Sequence, residues 1–355
     1  MKKYFIILAV ALSFSSCMEE EPLKLDFHGF SPKQMNDGWQ ISTPAEENID
    51  ESLLKNAYGL FYSENDFPMA KSLLVIRNEK LVAEAYCKDE NDINRIENLQ
   101  SMTKSITSLL TGIAIKKGLI DSINTPLYNY YPEYFDQDLR KRKITILDAI
   151  TMTAGLEFDN DVHTEEMYHT KESSLKYVLS HPVIFDAGNE FLYNDGLPQL
   201  VGGIIKKVSG QSLEQFATEN LFSPLGITDH MWEKANDGLN FGAFSLYLKP
   251  RDLAKLGQLC LQNGKWNNIQ LIDDSWILEA SSISYCNIAP NWDYGFYFWI
   301  YHTHDGYEMN GHGGQFVYIC PEKNLVTVYT AFPYTSNDLE GNPERLINAV
   351  YNACE

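Results

Sequence analysis

Apolar residues recur every three to four positions through Ile49–Phe61 and again, more densely, through Asn98–Lys117, the spacing of a helix. In the second stretch Ile106, Leu109, Leu110 and Ile113 have small or apolar neighbours on almost every side, so this helix reads as buried all round, and Gly118 ends it. Between the two, Ser72–Cys87 holds a pair of β-rich runs about Arg77-Asn78-Glu79-Lys80, which predicts a hairpin. Ile144 to about Gly242 is helix-and-loop in character. Strand-like runs return in GFYFWIYHTHDGYEMN, turning at His304-Asp305-Gly306, and in QFVYICPEKNLVTVYTA, turning at Pro321–Asn324. PERLINAVYNA, with Pro343 suited to a first turn, predicts a closing helix. Strands at both ends around a helical middle predict an α+β fold: an antiparallel β-sheet flanked by helices, built from both termini, with an inserted all-α domain. The expected division is a sheet domain over 46–143 and 243–355 and a helical insertion over 144–242.

The first residues follow another rule. Lys2 and Lys3 precede an apolar run, Tyr4–Leu12, too short to span a bilayer, and Phe14-Ser15-Ser16-Cys17 places small residues before a cysteine. This looks like a bacterial lipoprotein signal. It implies a signal peptide over 1–16, lipidation of Cys17, and a place in the cell envelope as an outer-membrane or periplasmic lipoprotein of a Gram-negative bacterium. Residues 17–45, polar and Pro-bearing, read as an acidic tether.

Composition narrows the picture. With 44% hydrophobic residues, 21% charged residues and 355 in all, the chain can bury a sizeable core. Its formal charge of −20 argues against a nucleic-acid partner, which needs clustered Lys and Arg. Beyond Cys17 the cysteines are Cys87, Cys260, Cys286, Cys320 and Cys354, an odd set without a C-x-x-C pair, so they read as small buried apolar residues.

Three stretches could carry chemistry. Ser-x-x-Lys occurs three times, as Ser52–Lys55, Ser101–Lys104 and Ser173–Lys176. Only Ser101-Met-Thr-Lys104 opens a helix apolar enough to strand its lysine inside, and a buried charge needs a reason. Tyr193-Asn194-Asp195 lies in a loop before a helix, where a phenol and its neighbour can relay protons; the pattern is equally good turn chemistry. His312-Gly313-Gly314 leads into a strand, where glycines let a substrate lie against the edge and the Gln315 N–H can face a developing oxyanion.

In that order and spacing the three resemble the serine β-lactamase and DD-peptidase superfamily, specifically its class C-like esterase and amide-hydrolase branch. The resemblance runs over nearly all of residues 38–335, including DGWQISTP, ITILDAITMTAGLEF, YLKPRDLAKLGQLCLQNGKW, YGFYFW and GHGGQFVYICPEKNLVTVYTA. It implies Ser101 as nucleophile, Lys104 as its proton partner, Tyr193 as a second acid/base, and an oxyanion hole from the N–H groups of Ser101 and Gln315. It implies no cofactor, and His312 stands where the family's third motif often has Lys.

An unperturbed lysine is neutral about once in 2,500 at pH 7, so Lys104 or Tyr193 needs help to act as a base, and the sequence does not choose between them. By the same resemblance Asp195 occupies a position where the family commonly has Asn, and a carboxylate only accepts hydrogen bonds. It would hold Lys104 protonated and, with His312, Gly313 and Gly314, is expected on the substrate side. The expected substrate is an ester, an amide (a β-lactam included) or a cell-wall D-peptide. Glu157–Thr170 is the expected specificity loop. Two rivals are a metal centre at His302, His304 and Asp305, and a non-catalytic surface lipoprotein that binds peptidoglycan or glycans through its 21 Tyr and 6 Trp.

Overall fold

The computed structural model describes residues 23–135, 138–289, 292–334 and 341–355; the expected signal peptide and Cys17 lie outside them. Nine strands form the main sheet in the order Gln40–Ile41, Lys80–Tyr86, Ala70–Arg77, Leu325–Ala331, Gln315–Cys320, Gly306–Gly311, Trp299–Tyr301, Trp292–Tyr294, Tyr285–Ala289. The central pairing sets Leu74 opposite Val328 and Val75 opposite Thr327, so both ends of the chain meet in one sheet, as the pattern predicts. Every pairing is antiparallel except the edge, where Gln40 and Ile41 run parallel to Lys80 and Leu81. The central strands are buried on both faces, which explains their unbroken apolar runs. Asn78 and Glu79 both take left-handed backbone (φ 49° and 69°), the signature of a two-residue type I′ hairpin turn.

Helices cover both faces. Glu51–Phe61, capped by the Asp50 side chain, packs with Pro343–Ala353, capped by Asn342, over one core that includes Tyr58, Phe61 and Val350. On the other face Met102–Lys116 and Pro250–Leu261 belong to a larger core that continues into the helical half through Leu197, Leu200 and Val201. Every residue from Met102 to Ala114 is buried, because this helix is shared by sheet and insertion. Among the described residues no helix is long and apolar enough to cross a membrane.

Three expectations change. From Lys24 onward the supposed tether is part of the fold. Lys24 Nζ donates to the carbonyls of Phe61 and Ser63 at 2.8 Å, and Trp39 is buried. Arg251, itself buried, clamps this segment by ion pairs to Asp37 at 2.8 Å and Glu84 at 2.6 Å. Second, the helical half begins before residue 144, since the Tyr131 hydroxyl donates to Leu200 O and Lys141 Nζ to Leu179 O. Third, residues Asn160–His169 of the expected specificity loop form a helix capped by Asp159. Cys87, Cys260, Cys320 and Cys354 are buried free thiols.

Candidate active site

The three Ser-x-x-Lys stretches separate at once by burial. Lys55 is exposed, and Lys176 is an exposed partner of Glu172 at 2.7 Å. Lys104 keeps 1% of its side chain exposed. Its ammonium donates to Ser101 Oγ at 2.8 Å and to Ala243 O at 3.2 Å, and pairs with Asp195 Oδ1 at 2.7 Å. The same nitrogen lies 4.8 Å from the centroid of the Tyr193 ring. One buried cation therefore joins the first two motifs.

Burial alone would lower the Lys104 pKa. The Asp195 carboxylate and then Tyr193 outweigh that effect, and the net direction is upward. Lys104 is held as an ammonium, as the sequence reading expects of an acid in that position. Asp195 is not turned toward a substrate, however: Oδ1 faces Lys104 and Oδ2 accepts from Thr164 Oγ1 at 2.8 Å. Its expected substrate-binding role gives way to a structural reason, since both oxygens are occupied within the protein. The loop is fixed from the same helix, where Asn160 accepts from Asp195 N at 3.0 Å and donates to Tyr193 O at 3.1 Å. Only the third motif position, an acid in place of an amide, gave a hint of this network in the sequence. Thr164 and Asn160 gave none.

Ser101 is half-buried at the start of its helix, with no side-chain cap bond to compete for the hydroxyl. The preceding Gln100 is in left-handed backbone at φ 49°, an uncommon state for a non-glycine residue. It is held there by Asn98 Oδ1, which accepts from Gln100 N at 2.9 Å, and by a bond from Gln100 Nε2 to Pro333 O at 2.9 Å.

His312-Gly313-Gly314 is the turn between strands Gly306–Gly311 and Gln315–Cys320, with Gly311 opposite Gln315. The structure brings this turn to Ser101. A Cβ on Gly311 would lie 2.4 Å from Leu99 O, so only glycine lets the strand end approach the turn before Ser101 so closely. Gln315 Nε2 donates to Asn98 O at 3.1 Å, tying the third motif to the first. His312 is exposed at the rim, and Gly313 needs its left-handed φ of 90° beside Phe332 O.

Aromatic rings complete the wall. Tyr193 stacks on Trp299 at 5.9 Å and meets Tyr294 edge-on at 6.2 Å. Opposite Trp299 in the sheet sits Glu308, whose carboxyl burial pushes up to about 8 from 4.5, partly offset by a bond from Asn310 and reinforced by Glu344. The native state thus holds a proton that the unfolded chain releases at lower pH. Stability should fall as pH rises from about 4.5 to 8, by at most about 1.4 kcal/mol per pH unit. Melting temperatures across that window should show a shallower decline in Glu308→Gln; an unchanged slope would assign the effect elsewhere.

Both histidines of the metal rival are otherwise engaged: His302 pairs with Asp293 at 2.7 Å, and His304 bonds Asn348 and stacks on Tyr351. Among the described residues no group of three or more His, Cys, Asp or Glu is placed to hold a metal ion.

A family model described as Beta-lactamase matches residues 70–353. The chain belongs to the beta-lactamase family. Among curated relatives of this beta-lactamase-family chain is monacolin J acid methylbutanoyltransferase of Aspergillus terreus, 28% identical over 151 residues; the match spans 37% of this chain and 36% of that relative, about a third of its length. Among solved structures, a Bacillus anthracis protein provisionally assigned as a 6-aminohexanoate-dimer hydrolase superposes with a TM-score of 0.70 at 19% identity, covering 95% of this chain and 91% of the other. A family VIII carboxylesterase gives 0.68 at 17% identity, covering 86% and 97%. At these identities the structures attest the fold alone.

Proposed function

We propose that the chain is a serine hydrolase of the class C-like type that cleaves esters or small amides through an acyl-enzyme on Ser101. One observation carries this: a lysine buried inside a helix donates to Ser101 Oγ at 2.8 Å while facing Tyr193. A protein that only binds has no use for a buried cation so placed. Ser101 Oγ attacks the substrate carbonyl and its proton passes through Tyr193; Lys104 stays an ammonium and steadies the negative charge that develops. The N–H groups of Ser101 and Gln315 receive the oxyanion, an arrangement worth about 3 kcal/mol per donor where it has been dissected. The tetrahedral intermediate collapses, the leaving group takes the proton, and water repeats the sequence to release the acid.

The names of the similar proteins support acyl chemistry of this breadth, since they describe a methylbutanoyl transfer, a carboxylesterase and hydrolysis of an aminohexanoate dimer. Asp195 disfavours β-lactams in this reading, because its carboxylate is bound to Lys104 and Thr164 and cannot donate to an acyl-side amide. His312, exposed at the rim, is the proposed contact for the far end of the substrate, and export with a lipid at Cys17 is part of the same proposal. Intact-mass measurement after a fluorophosphonate and a short p-nitrophenyl ester, with peptide mapping, should find a single adduct on the Ser101 peptide. A chromogenic cephalosporin should react far more slowly. No adduct, or one confined to another residue, would reject the assignment.

A further inference from the structure

The end of the sheet opposite Ser101 holds a cavity that acyl transfer does not use. The strands Ala70–Arg77 and Leu325–Ala331 run from the nucleophile end, where Ala331 precedes the Phe332 carbonyl beside Gly313, to a far end where Arg77 pairs with Leu325. At about 3.3 Å per residue the two ends are roughly 20 Å apart. Beyond the far end, Trp39, the turn Asn78–Glu79, Gln258 and Trp266 line a cavity of about 530 Å³. That volume lies within the range of small-molecule sites, about 300–1,000 Å³.

Much of its lining has a structural explanation. Asn78 bonds Glu47 and Asn324, and Asn267 and Asn268 occupy the left-handed positions of a second tight hairpin turn. Gln258 has none. It is 2% exposed, lines the cavity, and among the described residues neither its Oε1 nor its Nε2 has a hydrogen-bond partner. A buried amide left without partners at both ends is costly, which points to a ligand or ordered solvent that meets both. Above it the half-exposed Trp266 stands edge-to-face against the buried Trp39 at 6.4 Å, which fixes the outer indole in place.

We infer that this cavity binds a neutral saccharide unit. A hydroxyl is donor and acceptor at once, and neighbouring hydroxyls on a ring can take the Gln258 amide N–H and its carbonyl together. The C–H face of a sugar ring suits the flat apolar face of Trp266. Glu79 and Lys265 line the cavity with opposite charges, so neither an anionic nor a cationic ligand is favoured. The site does not depend on turnover at Ser101. It would hold the chain on a glycan while the other end works.

The test uses the full chain and a panel of neutral pentoses, hexoses, N-acetylhexosamines and their disaccharides at millimolar concentration. Binding is read by tryptophan fluorescence and saturation-transfer NMR. At least one sugar should bind saturably, and Trp266→Ala and Gln258→Leu should each weaken it tenfold or more. Both variants should stay folded, with a cooperative circular dichroism melt, and keep the wild-type rate of ester hydrolysis. Trp266→Phe, which retains a flat ring, should lose less than Trp266→Ala and guards against loss by misfolding. Absence of saturable binding across the panel, or equal binding in Trp266→Ala and Gln258→Leu, overturns the inference.

Discussion

Ser101→Ala will abolish fluorophosphonate labelling and lower ester turnover to background, a loss on the order of 10⁶-fold in kcat where nucleophilic serines have been removed. The reasoning is local. Ser101 Oγ is the hydroxyl bonded to Lys104, and removing it leaves that ammonium with Asp195 and Ala243 O, so the buried charge stays compensated. The melting temperature should therefore move by no more than a few degrees while activity disappears. That separation distinguishes a nucleophile from a residue needed for folding. Substitution of Ser52 or Ser173, which sit in the two solvent-side Ser-x-x-Lys patterns, should leave labelling intact. Equal labelling of Ser101→Ala and wild type would remove Ser101 from the mechanism.

The contrast among those three patterns shows what the sequence carried. Spacing alone could not separate Ser101–Lys104 from Ser52–Lys55; the apolar surroundings did, because burial is written in neighbouring residues. Hairpins were legible too, through β-rich runs and turn residues such as Asn78-Glu79. The leading segment was not. Its polar composition looks like a tether, yet Lys24 and Asp37 are polar because they meet carbonyls and Arg251. Those partners lie more than 200 residues away in the case of Arg251, beyond any local pattern. Thr164 and Asn160 were missed likewise, since their polar faces resemble an ordinary exposed loop until the fold sets them on Asp195.

Lys104 and Asp195 give the second large effect, and it lies in how they are coupled. Lys104→Met should lower kcat/KM by about 10²- to 10⁴-fold, the range for loss of a positioned proton-handling group. It should also destabilise the fold by about 3–5 kcal/mol, because Asp195 is left largely buried without its cation. Adding Asp195→Asn to that variant removes the stranded charge, so the double variant should recover most of the stability and none of the activity. Asp195→Asn alone tests which form of the lysine works. In the wild type burial lowers the Lys104 pKa and the carboxylate is the larger of the two groups that outweigh it; without the carboxylate only Tyr193 opposes burial, and the ammonium loses its proton at lower pH. If the ammonium is the working form, with Tyr193 moving the proton, the alkaline limb of the kcat/KM profile must shift to lower pH in Asp195→Asn. A rising limb that moves down instead, with higher activity at neutral pH, would make the free amine of Lys104 the base. An unmoved profile would show that Asp195 acts on neither. The ion pair at 2.7 Å makes that last outcome the hardest to reconcile with the geometry.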